Sequence, residues 1–219
     1  MNNYKGEFID FMMQSGVLTF GEFKTKSGRL SPYFVNTGNY RTGAQIAKLG
    51  GYYASCYMDK IGGKPVDMLY GPAYKGIPLV VTTATALFQN HNLDIPFCFN
   101  RKEAKTHGEG GTIIGSQPKT GDKIVIIEDV ITAGTALRET MEILKEVAGD
   151  VKVEALIIQV DRMERAAGEL SAVQQAEKDF GIPVHSIVTV RDIISHLNDK
   201  SITAKIEEYL TIYGVEPPL

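Results

Sequence analysis

Two adjacent carboxylates, Glu128 and Asp129, stand directly after an apolar run, Lys123 to Ile127. A loop of small residues, Thr132-Ala133-Gly134-Thr135, follows them and opens a segment with helical spacing. Backbone N–H groups and hydroxyls at a helix N-terminus bind phosphate monoesters, and carboxylates accept hydrogen bonds from vicinal ribose hydroxyls. These residues therefore predict a sugar-phosphate site. A solvated acidic loop or a helix cap is the alternative interpretation.

A second segment with reactive side chains is Arg101 to Gly111, which we call the cationic segment. It holds Arg101, Lys102, Lys105 and His107 among glycines, with almost no apolar residue. Cations stabilise the charge that develops on a phosphate leaving group, and an imidazole can donate a proton near neutral pH. The composition predicts a long, exposed, mobile loop. A mobile loop can bring such groups in after a substrate binds and exclude water. An ordinary solvated loop is the alternative.

Alternating strand-like and helix-like segments must position these residues. Unalternating apolar runs predict buried strands at Val66 to Tyr70, Pro96 to Asn100, Lys123 to Ile127, Val153 to Val160 and Val184 to Val190. Helical spacing predicts helices at Thr42 to Met58, Gly76 to Gln89, Thr135 to Ala148, Ser171 to Phe180 and Ile202 to Tyr213. The alternation predicts an α/β fold with a mostly parallel central sheet flanked by helices on both faces. Ligands of such sheets bind beyond the carboxyl ends of the strands.

The N-terminal part does not follow this alternation of strands and helices. Turn residues separate short extended pieces between Gly21 and Asn36, which predicts a small hood over the sheet. We expect one domain over residues 1–219, with the hood at about 1–40 and the core at about 41–219.

Composition excludes several classes of protein. With 43% hydrophobic residues, the chain has the composition of a globular protein with a substantial core, and its net charge of −3 argues against a broad basic footprint for nucleic acid or an anionic membrane. We find no apolar run long enough for a membrane span, and residues 1–13 are too polar for a signal peptide. We therefore expect a cytoplasmic protein in which Cys56 and Cys98 are buried thiols. No zinc-ligand spacing and no P-loop motif is present.

The segment Ile124 to Thr135 (IVIIEDVITAGT) resembles the 5-phosphoribosyl 1-diphosphate (PRPP) motif of the type I phosphoribosyltransferase family. Its strand, acidic pair, two apolar residues and Thr-Ala-Gly-Thr loop all match. Three further segments, Phe23 to Asn36, Tyr70 to Pro78 and Asn100 to Gly111, resemble the hood, pyrophosphate loop and mobile loop of the orotate-specific branch of that family. Asp161 and Arg162 fit the same branch.

The resemblance implies roles for individual residues. It implies a catalytic set of Lys26, Lys105, His107 and Asp129. It implies that PRPP is bound by Lys26, Tyr74, Lys75, Arg101, Lys102, Lys105, His107, Glu128, Asp129, Val130, Ile131, Thr132, Ala133, Gly134, Thr135 and Ala136. It implies that orotate is bound by Lys26, Phe34, Val35, Thr132 and Arg162, with Val35 standing where the family has phenylalanine.

The reaction implied is Mg²⁺-dependent substitution at ribose C1, which joins orotate to PRPP in pyrimidine biosynthesis and releases diphosphate. The metal is expected to be carried mainly by diphosphate and water. The resemblance also implies a homodimer in which residues 101–111 complete the partner's site. Two alternatives stay open at this point: a non-catalytic regulator that senses PRPP, and a phosphoribosyltransferase for a different base.

Overall fold

The computed structural model describes residues 4–25, 27–105, 111–132 and 134–215, without the side chains of residues 104 and 105. The strands are β1 (Leu18–Lys24), β2 (Leu30–Val35), β3 (Met68–Gly71), β4 (Phe97–Lys105), β5 (Gly111–Gly115), β6 (Lys123–Ile127), β7 (Lys152–Asp161) and β8 (Val184–Thr189). The α-helices are α1 (Tyr4–Gln14), α2 (Gly43–Lys60), α3 (Gly76–His91), α4 (Thr135–Ala148), α5 (Ala172–Phe180), α6 (Val190–His196) and α7 (Lys200–Tyr213). A 3₁₀ turn, Thr37–Asn39, precedes α2.

Six strands form the central sheet in the order β5-β4-β3-β6-β7-β8. All neighbours are parallel except β5, which runs antiparallel to β4 at one edge. Successive strand residues enter opposite cores: Val125 and Ile127 pack on one face, Ile124 and Ile126 on the other. This two-sided burial explains why the strands read as continuous apolar runs, and it confirms the predicted α/β fold.

Side-chain caps fix where several helices begin. Thr42 and Ser171 form capping boxes with Gln45 and Gln174, at the starts of α2 and α5. Because these residues cap rather than enter their helices, the predicted starts were one residue early. Thr189 caps α6 in the same way, so the strand predicted to reach Val190 ends at Thr189 instead.

The cationic segment is only partly a loop. The prediction of a loop from Arg101 was wrong for its described ends, since residues 101–105 continue β4 and Gly111 begins β5. Lys105 pairs with Gly111 across this hairpin. Antiparallel pairing satisfies the backbone without apolar side chains, so composition alone could not reveal it. Lys102 and Glu103 are exposed, as expected.

The hood contains the antiparallel pair β1–β2, which confirms the short extended pieces predicted there. Phe8, Met12 and Tyr33 from this part of the chain are fully buried in the core on the α2–α3 side of the sheet. The division into hood and core stays a prediction. Cys56 and Cys98 are free and buried, as expected. Within the described ranges, no helix combines the length and the apolar character needed to cross a membrane.

Candidate active site

The carboxyl ends of four adjacent strands bring the described candidate residues to one edge of the sheet. Tyr74 and Lys75 follow β3, and Glu128 and Asp129 follow β6. Arg101 lies within β4 just beyond its pairing with β3, and Arg162 follows β7. The order β4-β3-β6-β7 makes these segments neighbours although they are far apart in sequence. This is the edge at which ligands of open α/β sheets bind.

Asp129 is the buried anion of this edge. It is 6% exposed, and its Oδ2 accepts hydrogen bonds from Lys75 Nζ and from Thr37 Oγ1, each at 2.7 Å. Its Oδ1 accepts from the Val130 N–H at 2.8 Å. The Lys75 side chain is 62% exposed, so solvent weakens the ion pair and a ligand can displace the ammonium. Asp129 is thus a fixed carboxylate with an exchangeable partner.

Glu128 is the member of the acidic pair whose pKa is raised by its surroundings. Burial raises the pKa of its carboxyl to about 8, and the neighbouring Asp129 charge adds to the rise. Its Oε1 accepts a hydrogen bond from the Asp129 N–H at 2.9 Å. The Tyr53 hydroxyl donates to the Glu128 carbonyl at 2.6 Å, which fixes the backbone of the pair from α2. The Glu128 carboxyl is therefore largely protonated near neutral pH.

The pKa of Glu128 predicts a pH-dependent stability. Because the folded pKa of about 8 exceeds the usual 4.5, the carboxyl stabilises the fold fully at low pH and loses this contribution as pH rises through 8. Glutamine at this position keeps a side-chain oxygen that can accept the hydrogen bond from the Asp129 N–H, and it does not titrate. We expect Glu128→Gln to raise the Tm at pH 9 by roughly 4 °C, about 2 kcal/mol, and to leave it nearly unchanged at about pH 4, below the unfolded pKa. Thermal unfolding across this range, with the exposed Glu146→Gln as control, checks the prediction. Parallel pH curves for all three proteins would contradict it.

The loop after the acidic pair presents an uncapped helix start. Gly134 has φ +71°, a left-handed conformation that favours glycine, and no side chain caps α4. The N–H groups in the first turn of a helix have no acceptor within the helix, and the first turn of α4 lines a cavity of about 340 Å³. Residues predicted to bind PRPP line it: Glu128, Val130, Ile131, Thr132, Gly134, Thr135, Ala136 and, from β4, Lys102. This geometry suits a phosphate group.

The turn between β3 and α3 offers a second uncapped helix start. Lys75 occupies the N-cap position of α3 without a capping side chain, and Tyr74 is 71% exposed beside it. The Ala73–Tyr74 peptide bond is cis. Asn100, buried at 5% exposure on β4, accepts a hydrogen bond from the Ala73 N–H through Oδ1 at 2.8 Å. Asn100 thus ties the turn to the neighbouring strand.

We expect Asn100→Ala to loosen this turn. The change leaves the Ala73 N–H without its buried acceptor, so the free energy of unfolding falls by about 2 kcal/mol. If the turn binds diphosphate, KM for PRPP rises roughly tenfold, because a displaced turn loses part of its contact energy. Denaturant unfolding and steady-state kinetics measure the two effects. The exposed Asn90→Ala on α3 is the control, and equal KM values in both variants would contradict the positioning role.

Several predicted residues lie outside what the structure describes: Lys26, His107, Ala133 and the side chain of Lys105. Three of the four residues predicted to be catalytic fall in this group, and their roles stay predictions. Lys102 is described, and its Nζ contacts Glu139 Oε2 of α4 at 3.1 Å. Both side chains are largely exposed, so this ion pair holds the cationic segment only weakly.

Arg162 lies on the hood side of the site. Its guanidinium contacts Glu164 and Ser31 and stands 4.3 Å from the centre of the Tyr33 ring. Phe34, 43% exposed, and Val35 continue the same hood strand. One end of β2 therefore contacts Arg162 through Ser31. Just beyond its other end, Thr37 donates a hydrogen bond to Asp129. The structure therefore brings the described orotate-binding candidates and the acidic pair together through β2.

A larger cavity, about 640 Å³, lies between α6 and α7. Its described lining includes Arg191, Glu207 and Leu210 and none of the predicted site residues. We place the site at the strand edge because buried charge, free N–H groups and cations converge there.

Sequence analysis missed residues that hold the site together: Thr37, Tyr53, Asn100, Glu164 and Tyr209. Asn100 carried a usable signal, because a polar residue ends the apolar run of β4 at the ligand-binding edge. The others act across distant segments and had no local pattern.

The comparisons with known proteins agree with this geometry. The family model for the phosphoribosyl transferase domain matches residues 37–179. The chain is 48% identical over 220 residues to orotate phosphoribosyltransferase of Shewanella oneidensis, covering 99% of this chain and 100% of that protein. It is 51% identical to the Pseudomonas fluorescens enzyme, covering 98% and 100%. A crystal structure of orotate phosphoribosyltransferase from Francisella tularensis matches with a TM-score of 0.85 and 39% identity, over 95% of this chain and 99% of that one.

Proposed function

The chain belongs to the orotate phosphoribosyltransferases of the phosphoribosyltransferase family, and from this membership we propose how its own residues carry out the reaction. The enzyme transfers a phosphoribosyl group from PRPP to orotate, giving orotidine 5′-monophosphate and diphosphate in pyrimidine biosynthesis. One observation carries the assignment of roles: the buried Asp129 carboxylate lies beside the uncapped start of α4 and holds the exchangeable Lys75.

PRPP binding uses both ends of this arrangement. The 5′-phosphate accepts hydrogen bonds from the N–H groups of residues 132–135 at the start of α4. The ribose hydroxyls donate to the acidic pair, with the buried Asp129 carboxylate as the main acceptor. Lys75 then leaves Asp129 and binds the diphosphate. The same ammonium therefore neutralises Asp129 before the substrate binds and the diphosphate after it has bound. When Lys75 has moved, Asp129 keeps its hydrogen bonds from Thr37 and from the Val130 N–H and gains those from the ribose hydroxyls.

Bond cleavage at ribose C1 places positive charge on the sugar and negative charge on diphosphate. Asp129 stabilises the sugar charge, while Lys75, Arg101, Lys102 and Lys105 stabilise the leaving group. Lys26 contacts both substrates, and His107 donates a proton to diphosphate. Lysines suit this task because each is a point charge on a flexible stem. These assignments rest on the positions of the described residues and on the family motif.

We propose Mg²⁺ as the cofactor. Mg²⁺ prefers hard oxygen ligands, which the diphosphate of PRPP supplies, and the acidic pair at the same strand edge is compatible with a cation nearby. The ion would thus be held mainly by diphosphate oxygens and water. When bound, Mg²⁺ neutralises part of the leaving group's charge.

Orotate is held from the hood side. Arg162 pairs with its carboxylate, Thr132 and the main chain of Phe34 and Val35 contact the ring, and Lys26 reaches it from the hood. The N1–H of orotate is acidic enough to lose its proton without a strong protein base, and the deprotonated N1 then attacks ribose C1. A base that lacks the carboxylate cannot form this pair with Arg162, which disfavours purines and uracil.

A homodimer and a cytoplasmic location complete the proposal. The β4–β5 hairpin lies at the sheet edge with Lys102 and Glu103 exposed, which suits a segment that reaches a second subunit. Sedimentation analysis tests the dimer. The unpaired, buried thiols of Cys56 and Cys98 fit a reducing compartment.

Ultraviolet absorbance of orotate tests the function directly. We expect absorbance to fall only when enzyme, Mg²⁺ and PRPP are all present. Adenine, hypoxanthine and uracil serve as competing bases under the same conditions. Turnover of another base without turnover of orotate would contradict the role of Arg162, and binding of PRPP without turnover of any base would indicate a sensor.

A further inference from the structure

One carboxylate joins the base side of the site to the C-terminal helix. Glu164 Oε1 accepts hydrogen bonds from Arg162 Nε at 2.9 Å and from the Tyr33 hydroxyl at 3.1 Å. Its Oε2 accepts from the Tyr209 hydroxyl of α7 at 3.1 Å. Arg162 Nη2 lies 2.6 Å from the same carboxylate and also donates to Ser31. These five residues, Ser31, Tyr33, Arg162, Glu164 and Tyr209, form what we call the base-side cluster.

The cluster fixes the direction of the Arg162 guanidinium. Its Nε and Nη2 edge is taken by Glu164, and the Tyr33 ring covers one face at 4.3 Å. The Arg162 side chain keeps 27% of its surface exposed, so the nitrogen outside these bonds, Nη1, is the one left to meet a ligand. An arginine normally samples many rotamers, and ordering it on binding costs affinity. Holding it in one orientation removes that cost.

We propose that Glu164 and Tyr209 are positioning residues for orotate binding, which makes α7 part of the base subsite rather than a packing helix alone. The proposal rests on the role assigned to Arg162 above. Tyr209 acts through Glu164 and Glu164 acts through Arg162, so neither touches the substrate. Backbone contacts reinforce the link, because Gly214 just after α7 pairs with Glu164 and the Arg165 N–H donates to the Tyr213 carbonyl at 2.8 Å.

The charges in the cluster are balanced in a way that supports positioning. Glu164 offsets the Arg162 cation, and the two tyrosine hydroxyls donate to Glu164 without adding charge. Burial raises the pKa of Tyr209, and burial raises that of Tyr33 well above its ordinary value, so both remain neutral donors. Binding of the orotate carboxylate would then add an anion to a guanidinium that is already oriented.

Tyr209→Phe is the sharpest test, because it removes one hydroxyl and keeps the ring, which packs at a tilt against Tyr213 with the ring centroids 4.9 Å apart. We expect KM for orotate to rise about fivefold, while kcat and KM for PRPP change less than about twofold. Tyr213→Phe, one turn along the same helix, is the matched control. Its ring contacts Tyr209 and Arg29, and its hydroxyl is not among the donors to Glu164. Glu164→Gln should give a larger rise in orotate KM, about tenfold.

A second measurement separates positioning from general stability. In an Arg162→Ala background nothing remains for Glu164 to orient, so adding Tyr209→Phe should change kcat/KM for orotate less than about twofold. A fivefold loss in that background, or equal rises in KM for both substrates, would overturn the positioning role. Failure of the unmodified enzyme to consume orotate would overturn the proposed function itself. Normal orotate turnover with an unchanged KM in Tyr209→Phe would overturn only the present inference.

Discussion

Asp129→Asn is expected to lower kcat/KM for PRPP by about a hundredfold to a thousandfold. The carboxylate is 6% exposed, so its charge acts on the ribose with little screening by solvent. Asparagine has nearly the same shape but carries no charge, and its Nδ2 can donate where Oδ2 now accepts from Lys75 and Thr37. The variant therefore loses both the acceptor for the ribose hydroxyls and the charge that stabilises the cationic sugar in the transition state.

The control must remove a carboxylate from an ion pair without touching the site. Asp59 forms such a pair with Lys60 at 3.0 Å on the surface at the end of α2, so Asp59→Asn should leave kcat/KM within about twofold. Steady-state kinetics and thermal unfolding of both variants complete the comparison. Near-normal turnover of folded Asp129→Asn would remove Asp129 from the catalytic set. A loss confined to KM for PRPP would reduce its role to substrate binding.

The sheet could be predicted from sequence because its strands are buried on both faces. The predicted strand Lys123 to Ile127 has the bounds of β6, and the predicted strand Val153 to Val160 is one residue shorter than β7 at each end. Continuous runs of apolar, β-branched residues are typical of strands buried on both faces. The helix Thr135 to Ala148 was likewise placed at its true ends, because its apolar stripe and the glycines beside it mark both limits. Errors arose where polar residues pair through their backbone, as in residues 101–105.

The site was predictable where one segment held all the parts. The acidic pair and the loop of residues 132–135 are contiguous, so their local pattern revealed them. Lys75 and Asp129 could be named separately, but their 2.7 Å contact depends on the order β3-β6 in the sheet. Thr37 and Glu164 reach the site only through tertiary packing. A single sequence has no periodicity that reports a contact between residues 129 and 37 or between 164 and 209.

Arg162→Ala is expected to raise KM for orotate by roughly a hundredfold and to leave KM for PRPP within about threefold. A charge-assisted pair between guanidinium and carboxylate contributes about 1.5–3 kcal/mol, which corresponds to this change in KM. The asymmetry between the substrates is the specific part of the prediction. Arg162 lies on the hood side with Tyr33 and Ser31, whereas the described residues assigned to PRPP lie on β4 or follow β3 and β6.

Stability must be measured in parallel, because removal of Arg162 leaves the Glu164 carboxylate without its cation. The two tyrosine hydroxyls still donate to Glu164, so the loss of folding free energy should stay below the about 3–5 kcal/mol seen when a buried pair is broken. Arg162→Lys keeps the positive charge but loses the planar guanidinium that can donate two hydrogen bonds to one carboxylate. We therefore expect a smaller rise in KM for orotate, about tenfold. If Arg162→Ala folds and binds orotate normally, a different residue binds the carboxylate of orotate. Lys26 would then be the cation to replace next, since the family motif assigns it to both substrates.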